Sequence, residues 1–169
     1  CAVKASSTAS ASTLVINGTY STGGNDISVT THTLNTGGTL RLFGDETITA
    51  PTISEDSTIE YYGTSTYTTL NLGYDYENLT FSRGTYNLSN DITVEDDFVN
   101  SGGTFTHTGT VTFDGLDQTI SGNSTFTNFT RSTTTNATTT FGAGDTQTIT
   151  GTLTLAGGSG AEMVLQSSN

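Results

Sequence analysis

The sequence predicts an all-β protein, wound as a single-stranded parallel β-helix (β-solenoid) of about six to seven coils. Three observations lead there. Helical periodicity is absent: no long stretch spaces its apolar residues at i, i+3, i+4 and i+7 between capping residues. Polarity comes from hydroxyls and amides, with 40 Thr, 18 Ser and 12 Asn in a chain only 12% charged. Thr, Val, Ile, Tyr and Phe suit a pleated, half-buried surface, whereas disordered chains avoid them. Finally, one half-polar strand is written again and again.

That strand is a small residue, Thr, an apolar residue, any residue, and a second apolar residue. It appears as GTLRL at 38–42, STIEY at 57–61, GTYNL at 84–88, GTVTF at 109–113 and GTLTL at 151–155. The starts lie 19, 27, 25 and 42 residues apart, and GTFTH at 103–107 falls out of phase. Side chains alternate faces along a strand. Leu40/Leu42, Ile59/Tyr61, Tyr86/Leu88, Val111/Phe113 and Leu153/Leu155 are therefore expected inward. Arg41, Glu60, Asn87, Thr112 and Thr154 are expected outward. Glycine pairs at 37–38, 102–103 and 157–158 mark corners.

Self-similarity at this period indicates stacked repeats, with the solenoid over 14–160. Residues 1–13 then form a tether or exchanged segment, and 161–169 a final strand at a subunit junction. An apolar fraction of 31% fits a thin core of high surface-to-volume ratio. The rival fold is an antiparallel β-sandwich, which would favour Asn-Gly or Asp-Gly hairpins. Only Asn17-Gly18 and Asp114-Gly115 qualify.

The repeats resemble the Thr/Asn/Gly-rich β-helical repeats of bacterial and archaeal cell-surface proteins, such as adhesins, filament proteins and autotransporter passenger regions. The resemblance spans roughly 14–158 and rests on degenerate motifs. It implies an extracellular or cell-surface location and an adhesive or structural role. It transfers no catalytic residue.

Charge narrows the partners. Sixteen acidic against four basic residues give a net charge of −12. Lys4, Arg41, Arg83 and Arg131 cannot supply the cationic face that a phosphate backbone or anionic membrane needs. No apolar run is long enough for a spanning helix. Cys1 is the only cysteine, so no disulfide forms within the chain. A start at Cys1 resembles a mature lipoprotein, with the Ser/Ala-rich segment 5–12 as tether; the other reading is a thiol that bridges subunits.

Little chemistry is signposted. His32 and His107 sit between threonines in alternating strands and read as ordinary strand residues. Acidic clusters fall at Glu55-Asp56, at Glu95-Asp96-Asp97 and at Asp114 with Asp117. Solvated turns explain them, and too few cations accompany them for a lyase acting on acidic sugars. Calcium is their best ligand, since hard cations want several oxygens, and Glu95, Asp96 and Asp97 are the candidate ligands. Six N-glycosylation sequons occur, at Asn17, Asn78, Asn87, Asn123, Asn128 and Asn136.

Neither flank carries a recognisable capping unit, which repeat proteins need where a coil stack stops. The expected function is therefore structural and not enzymatic. Identical subunits would join head to tail in a pilus-like fibre, sheath or matrix serving adhesion or biofilm building. Leu14, Val15 and Ile16 would meet Met163, Val164 and Leu165 at the junction. The alternative is a monomeric β-helix that binds or cleaves surface glycans through Tyr61, Tyr62, Tyr67, Tyr74 and Tyr76.

Overall fold

A computed structural model describes residues 2–169. All named strands pair in parallel, no helix occurs among the described residues, and the chain climbs about eight turns of a β-solenoid. Parallel pairing throughout excludes the sandwich. One wall is a nine-stranded sheet that runs the whole length, from Ala2–Lys4 at one edge to Met163–Ser167 at the other. The opposite wall is a three-stranded sheet in the early coils and an eight-stranded sheet in the later ones.

Register explains the irregular motif spacing. Thr39 pairs with Thr58 and Thr58 with Asn78, so GTLRL and STIEY are adjacent rungs of the nine-stranded sheet. GTYNL and GTFTH are adjacent rungs of the other wall, where Thr85 pairs with Thr104. GTFTH and GTVTF share a single ten-residue strand, Thr104–Phe113, whose register shifts between His107 and Thr110. The motif therefore marks strands on both walls, and is not written once per coil.

Inward columns build the core. Leu40, Ile59, Leu79, Phe98 and Ile120 succeed one another in register, and all are essentially inaccessible. Beside them Leu42, Tyr61 and Phe81 form a second column, closed by the buried amide of Asn100. Aromatic rings cross the interior between walls: Phe98 lies 5.2 Å from Phe105 and 5.7 Å from Phe126, centroid to centroid. Burying such rings is the main favourable term in a core this narrow.

Eight of the ten expected-inward positions, those that precede the last coil, behave alike. Leu40, Leu42, Ile59, Tyr61, Tyr86, Leu88, Val111 and Phe113 are buried. Leu153 and Leu155 are not: they are 52% and 45% exposed, although they continue the columns of Phe129 and Arg131. Their pairing parity is as the sequence predicts, but no described coil lies above them to complete the enclosure.

Corner residues latch one coil to the next. Carboxylate or amide oxygens of Asp26, Asn78, Asp91 and Asp97 accept the backbone N–H of Thr47, Asp97, Thr110 and Thr119 at 2.7–3.1 Å. Asp117, Asn123, Asn128 and Asn136 do the same for Thr138, Thr146, Thr152 and Glu162. Each reaches 19 to 26 residues onward, one full coil. A strand-entry N–H without such an acceptor would be left to solvent.

The opposite wall is interrupted between Thr52–Ile53 and Thr66–Tyr67, where the three-stranded sheet gives way to the eight-stranded one. A buried carboxylate sits near this break. Glu46 is 4% exposed, and its oxygens accept Phe43 N–H at 2.6 Å, Gly44 N–H at 2.8 Å and the Thr22 hydroxyl at 2.5 Å. Asn71 adds a longer bond at 3.3 Å. Carboxyl oxygens this deeply buried need hydrogen-bond donors, and these have them.

Candidate functional site

One polar concavity is an acidic corner on successive coils. Glu55 and Asp56 lie on one coil, Glu77 on the next, Glu95 and Asp96 on the third, and Asp114 with Asp117 on the fourth. Backbone bonds from Glu95 N–H to Tyr76 O and from Asp96 N–H to Glu77 O set the stacking. The repeat itself thus gathers acids that are remote in sequence. No Lys or Arg lines the corner.

Crowded carboxylates hold their protons more tightly. Burial pushes Glu77 up to about 7, helped by the charges of Glu95 and Asp96. Asp96 is raised by burial and then by Asp56 and Asp97. Asp114 is raised by burial and then by Glu95.

The structure divides the expected calcium ligands. Glu95 and Asp96 face the concavity, but Asp97 spends Oδ1 on Thr119 N–H at 2.7 Å as a coil latch. Asp117 is likewise engaged with Thr138 N–H. Among the described residues no three His, Cys, Asp or Glu side chains converge as an ion would require. Beneath the corner, the Gln118 amide Nε2 donates to the carbonyls of Val94, Glu95 and Asp96, fixing its floor. Sequence reading missed Gln118 because an inward amide reads as a break in an apolar column.

The histidines are interior. His32 is 3% exposed, with Nδ1 2.7 Å from Thr49 O; His107 is fully buried, with Nε2 2.6 Å from Asn90 O. Burial lowers the pKa of both. Neither presents a ring nitrogen to solvent chemistry.

The tyrosine cluster is mostly core. Tyr61, Tyr67 and Tyr76 are buried, and only Tyr62 and Tyr74 remain half-buried. Tyr61 and Tyr76 hydroxyls meet at 3.2 Å inside the stack. An exposed aromatic groove for glycans is therefore not formed by these five residues.

Four sequon asparagines, Asn78, Asn123, Asn128 and Asn136, serve as coil latches. Asn17 Oδ1 accepts from Asn35 Nδ2 at 2.6 Å, and Asn87 is exposed. Cys1, the expected lipidation or bridging position, lies outside the described residues. Among the described residues no helix is long and apolar enough to cross a membrane.

The two extremities of the stack are the remaining surfaces of note. At the first, Val3 and Val15 are 53% and 48% exposed beside half-buried Leu14 and Tyr20, while Ile16 is buried. At the last, Leu153, Leu155, Val164 and Leu165 are exposed, and Met163 is half-buried. The edge strands of the nine-stranded sheet, Ala2–Lys4 and Met163–Ser167, each pair on one side only.

No protein-family description, curated protein or solved structure matches this chain.

Proposed function

We propose that the protein is a structural rod, built to stack on further copies of itself, head to tail, in an extracellular filament, sheath or matrix that serves adhesion or biofilm building. The observation that carries this reading is the pair of apolar, singly paired rungs at opposite extremities of one continuous sheet. A second copy laid on the same axis would continue the parallel ladder and cover Leu153, Leu155 and Leu165 with Val3 and Val15. Heterologous contacts that do not close produce filaments.

Two further features favour a second copy in this orientation. Residues 2–25 contain Lys4 and no acid, whereas residues 142–169 contain Asp145 and Glu162 and no Lys or Arg. Head-to-tail contact pairs opposite signs; tail-to-tail contact would set acid against acid. Moreover, no Asn or Asp occurs between Asp145 and Asn169. The final coil thus carries apolar inward residues but none of the forward latches that join earlier coils within the chain.

Sedimentation and electron microscopy over a concentration series test the reading. Rods that lengthen with concentration, and that a Leu155→Asp, Leu165→Asp double variant reduces to folded monomers, are expected. A wild-type chain that stays monomeric at millimolar concentration sinks the proposal, as does a double variant that polymerises unchanged. Monomers would mean that the end rungs are covered by other residues of a longer polypeptide.

A further inference from the structure

Outward threonines fall into direct register on the eight-stranded wall. Thr106, Thr125 and Thr148 succeed one another on three coils, and Thr108, Thr127 and Thr150 follow them two residues along each rung. Past the register shift between His107 and Thr110, a second column runs through Thr93, Thr112, Thr130 and Thr154. Thr110, Asn128 and Thr152 stand beside that column. The wall therefore carries two threonine patches, each two columns wide.

Both patches are stiff. The backbone ladder fixes each row, and a β-branched side chain has few χ1 rotamers to choose from. Thr106, Thr112, Thr125 and Thr130 are half-buried. Thr108 and Thr150 donate to Leu88 O and Phe126 O at 3.3 and 3.4 Å. Among the described residues, the hydroxyls of the two main columns have no hydrogen-bond partner within the chain and are left to meet what lies outside.

What the patches lack is as informative. No Lys, Arg or aromatic residue takes an outward position on Thr104–Phe113 or Ser124–Thr133. They offer nothing to a phosphate backbone, no ring for a sugar to stack on, and none of the aromatic or arginine anchors of a protein interface. Asp91, at the margin of the second patch, spends Oδ1 on Thr110 N–H at 2.7 Å. Asp114 belongs to the acidic corner beyond Phe113.

The patches do offer periodicity. On a parallel sheet, hydroxyl–methyl pairs recur at about 4.8 Å from strand to strand and about 6.6 Å along each strand. Both spacings lie close to repeats of the oxygen lattice on a prism face of hexagonal ice. The methyl groups between the hydroxyls cannot hydrogen-bond, so the water over them keeps its bonds to other water. We propose that the two threonine patches bind ice, seated on its prism faces. Each contact is weak, and the contacts add up only because the surface repeats as the crystal does and does not flex. The site does not depend on stacking of copies.

Thermal hysteresis and ice-crystal shape, measured on the full chain below the concentration of any assembly, test this. The wild-type protein should halt crystal growth over a temperature gap that widens with concentration, and should facet the crystals. Thr106→Lys with Thr125→Lys, and Thr112→Lys with Thr130→Lys, should each narrow the gap, and the four changes together should abolish it. Thr112→Ser with Thr130→Ser keeps the hydroxyls, removes the methyls and adds no bulk; it should narrow the gap in a chain whose circular dichroism is unchanged. Thr58→Lys, outward on the nine-stranded wall, should leave the gap as it is. A wild-type chain that delays freezing no more than an inert protein at the same molar concentration overturns the proposal, even where it sediments with a crystalline polysaccharide. An unchanged gap in the folded serine or lysine variants overturns the placement, as does an equal loss in Thr58→Lys.

Discussion

Arg41 grips Glu60 on the coil above it: Nε lies 2.7 Å from Oε2 and Nη2 2.9 Å from Oε1, a two-pronged contact between outward residues in direct register. Ser82, one coil further, donates to Glu60 Oε1 at 2.6 Å, so three coils are joined on the solvent face. The Arg41 guanidinium also lies 4.4 Å over the Tyr62 ring. Burial raises the Glu60 pKa, but the hydrogen bonds from Arg41 and Ser82 outweigh it and leave the carboxyl below its ordinary range. Its stabilising contribution is therefore present at neutral pH and is lost as pH falls through the lowered value. With side chains 35% and 18% exposed, solvent screening limits that contribution. Arg41→Ala should cost about 0.5–1 kcal/mol at pH 7 by urea unfolding, and progressively less as pH is lowered through the depressed pKa of Glu60.

Position along the axis, and not residue type, sets the cost of losing an inward side chain. Phe98 is fully buried among Phe81, Phe105, Phe113 and Phe126. Phe98→Ala should lose about 3–5 kcal/mol of unfolding free energy. Leu155, drawn from the same repeated motif but 45% exposed, should lose under about 0.5 kcal/mol on change to Ala in the monomer. Comparable losses at both sites would contradict the description of the last coil as coreless.

Two glycines with left-handed backbones separate conformational from steric cost. Gly122 has φ +78°, and a Cβ there would lie 1.8 Å from Asn100 O. Gly37 has φ +67° with open space around it. Gly37→Ala should cost about 1–2 kcal/mol, the penalty for left-handed backbone alone. Gly122→Ala, which must also push the neighbouring coil away, should cost at least about 3 kcal/mol. Thermal melts of the two variants side by side give the comparison.

The acidic corner should make the rod more stable as its pH is lowered from neutral. Glu77 titrates near 7 in the folded protein, against an ordinary value of 4.5. The folded state therefore holds this proton more tightly, and stability falls as pH rises from about 4.5 to 7. Buried His32 and His107 act in the opposite sense, since their pKa values are lowered and stability is lost as pH falls below 6.5. Glu77→Gln isolates the first effect. Its melting temperature should exceed that of wild type at pH 8, and the difference should disappear at about pH 4. A variant that melts below wild type at pH 8 would show that the Glu77 charge is favourable where it sits.

The strand motif, its alternation and the scarcity of charge were enough to determine an all-β solenoid and the inward faces of Leu40, Ile59, Tyr86 and Val111, because a period of two and a repeat near one coil are local properties of the chain. Three things were settled only by stacking. Whether an inward residue is enclosed depends on the next coil, which is why Leu153 and Leu155 share a motif with Leu40 and Leu42 but not their burial. Which acids meet depends on register, which gathers Glu55, Glu77, Glu95 and Asp114 at one corner and diverts Asp97 and Asp117 to backbone N–H groups. And an arginine reads as a surface residue until the fold surrounds it with carbonyls, as it does Arg131. In each case the deciding energy comes from a neighbour about twenty residues away, so the residue's own surroundings in sequence carry no trace of it.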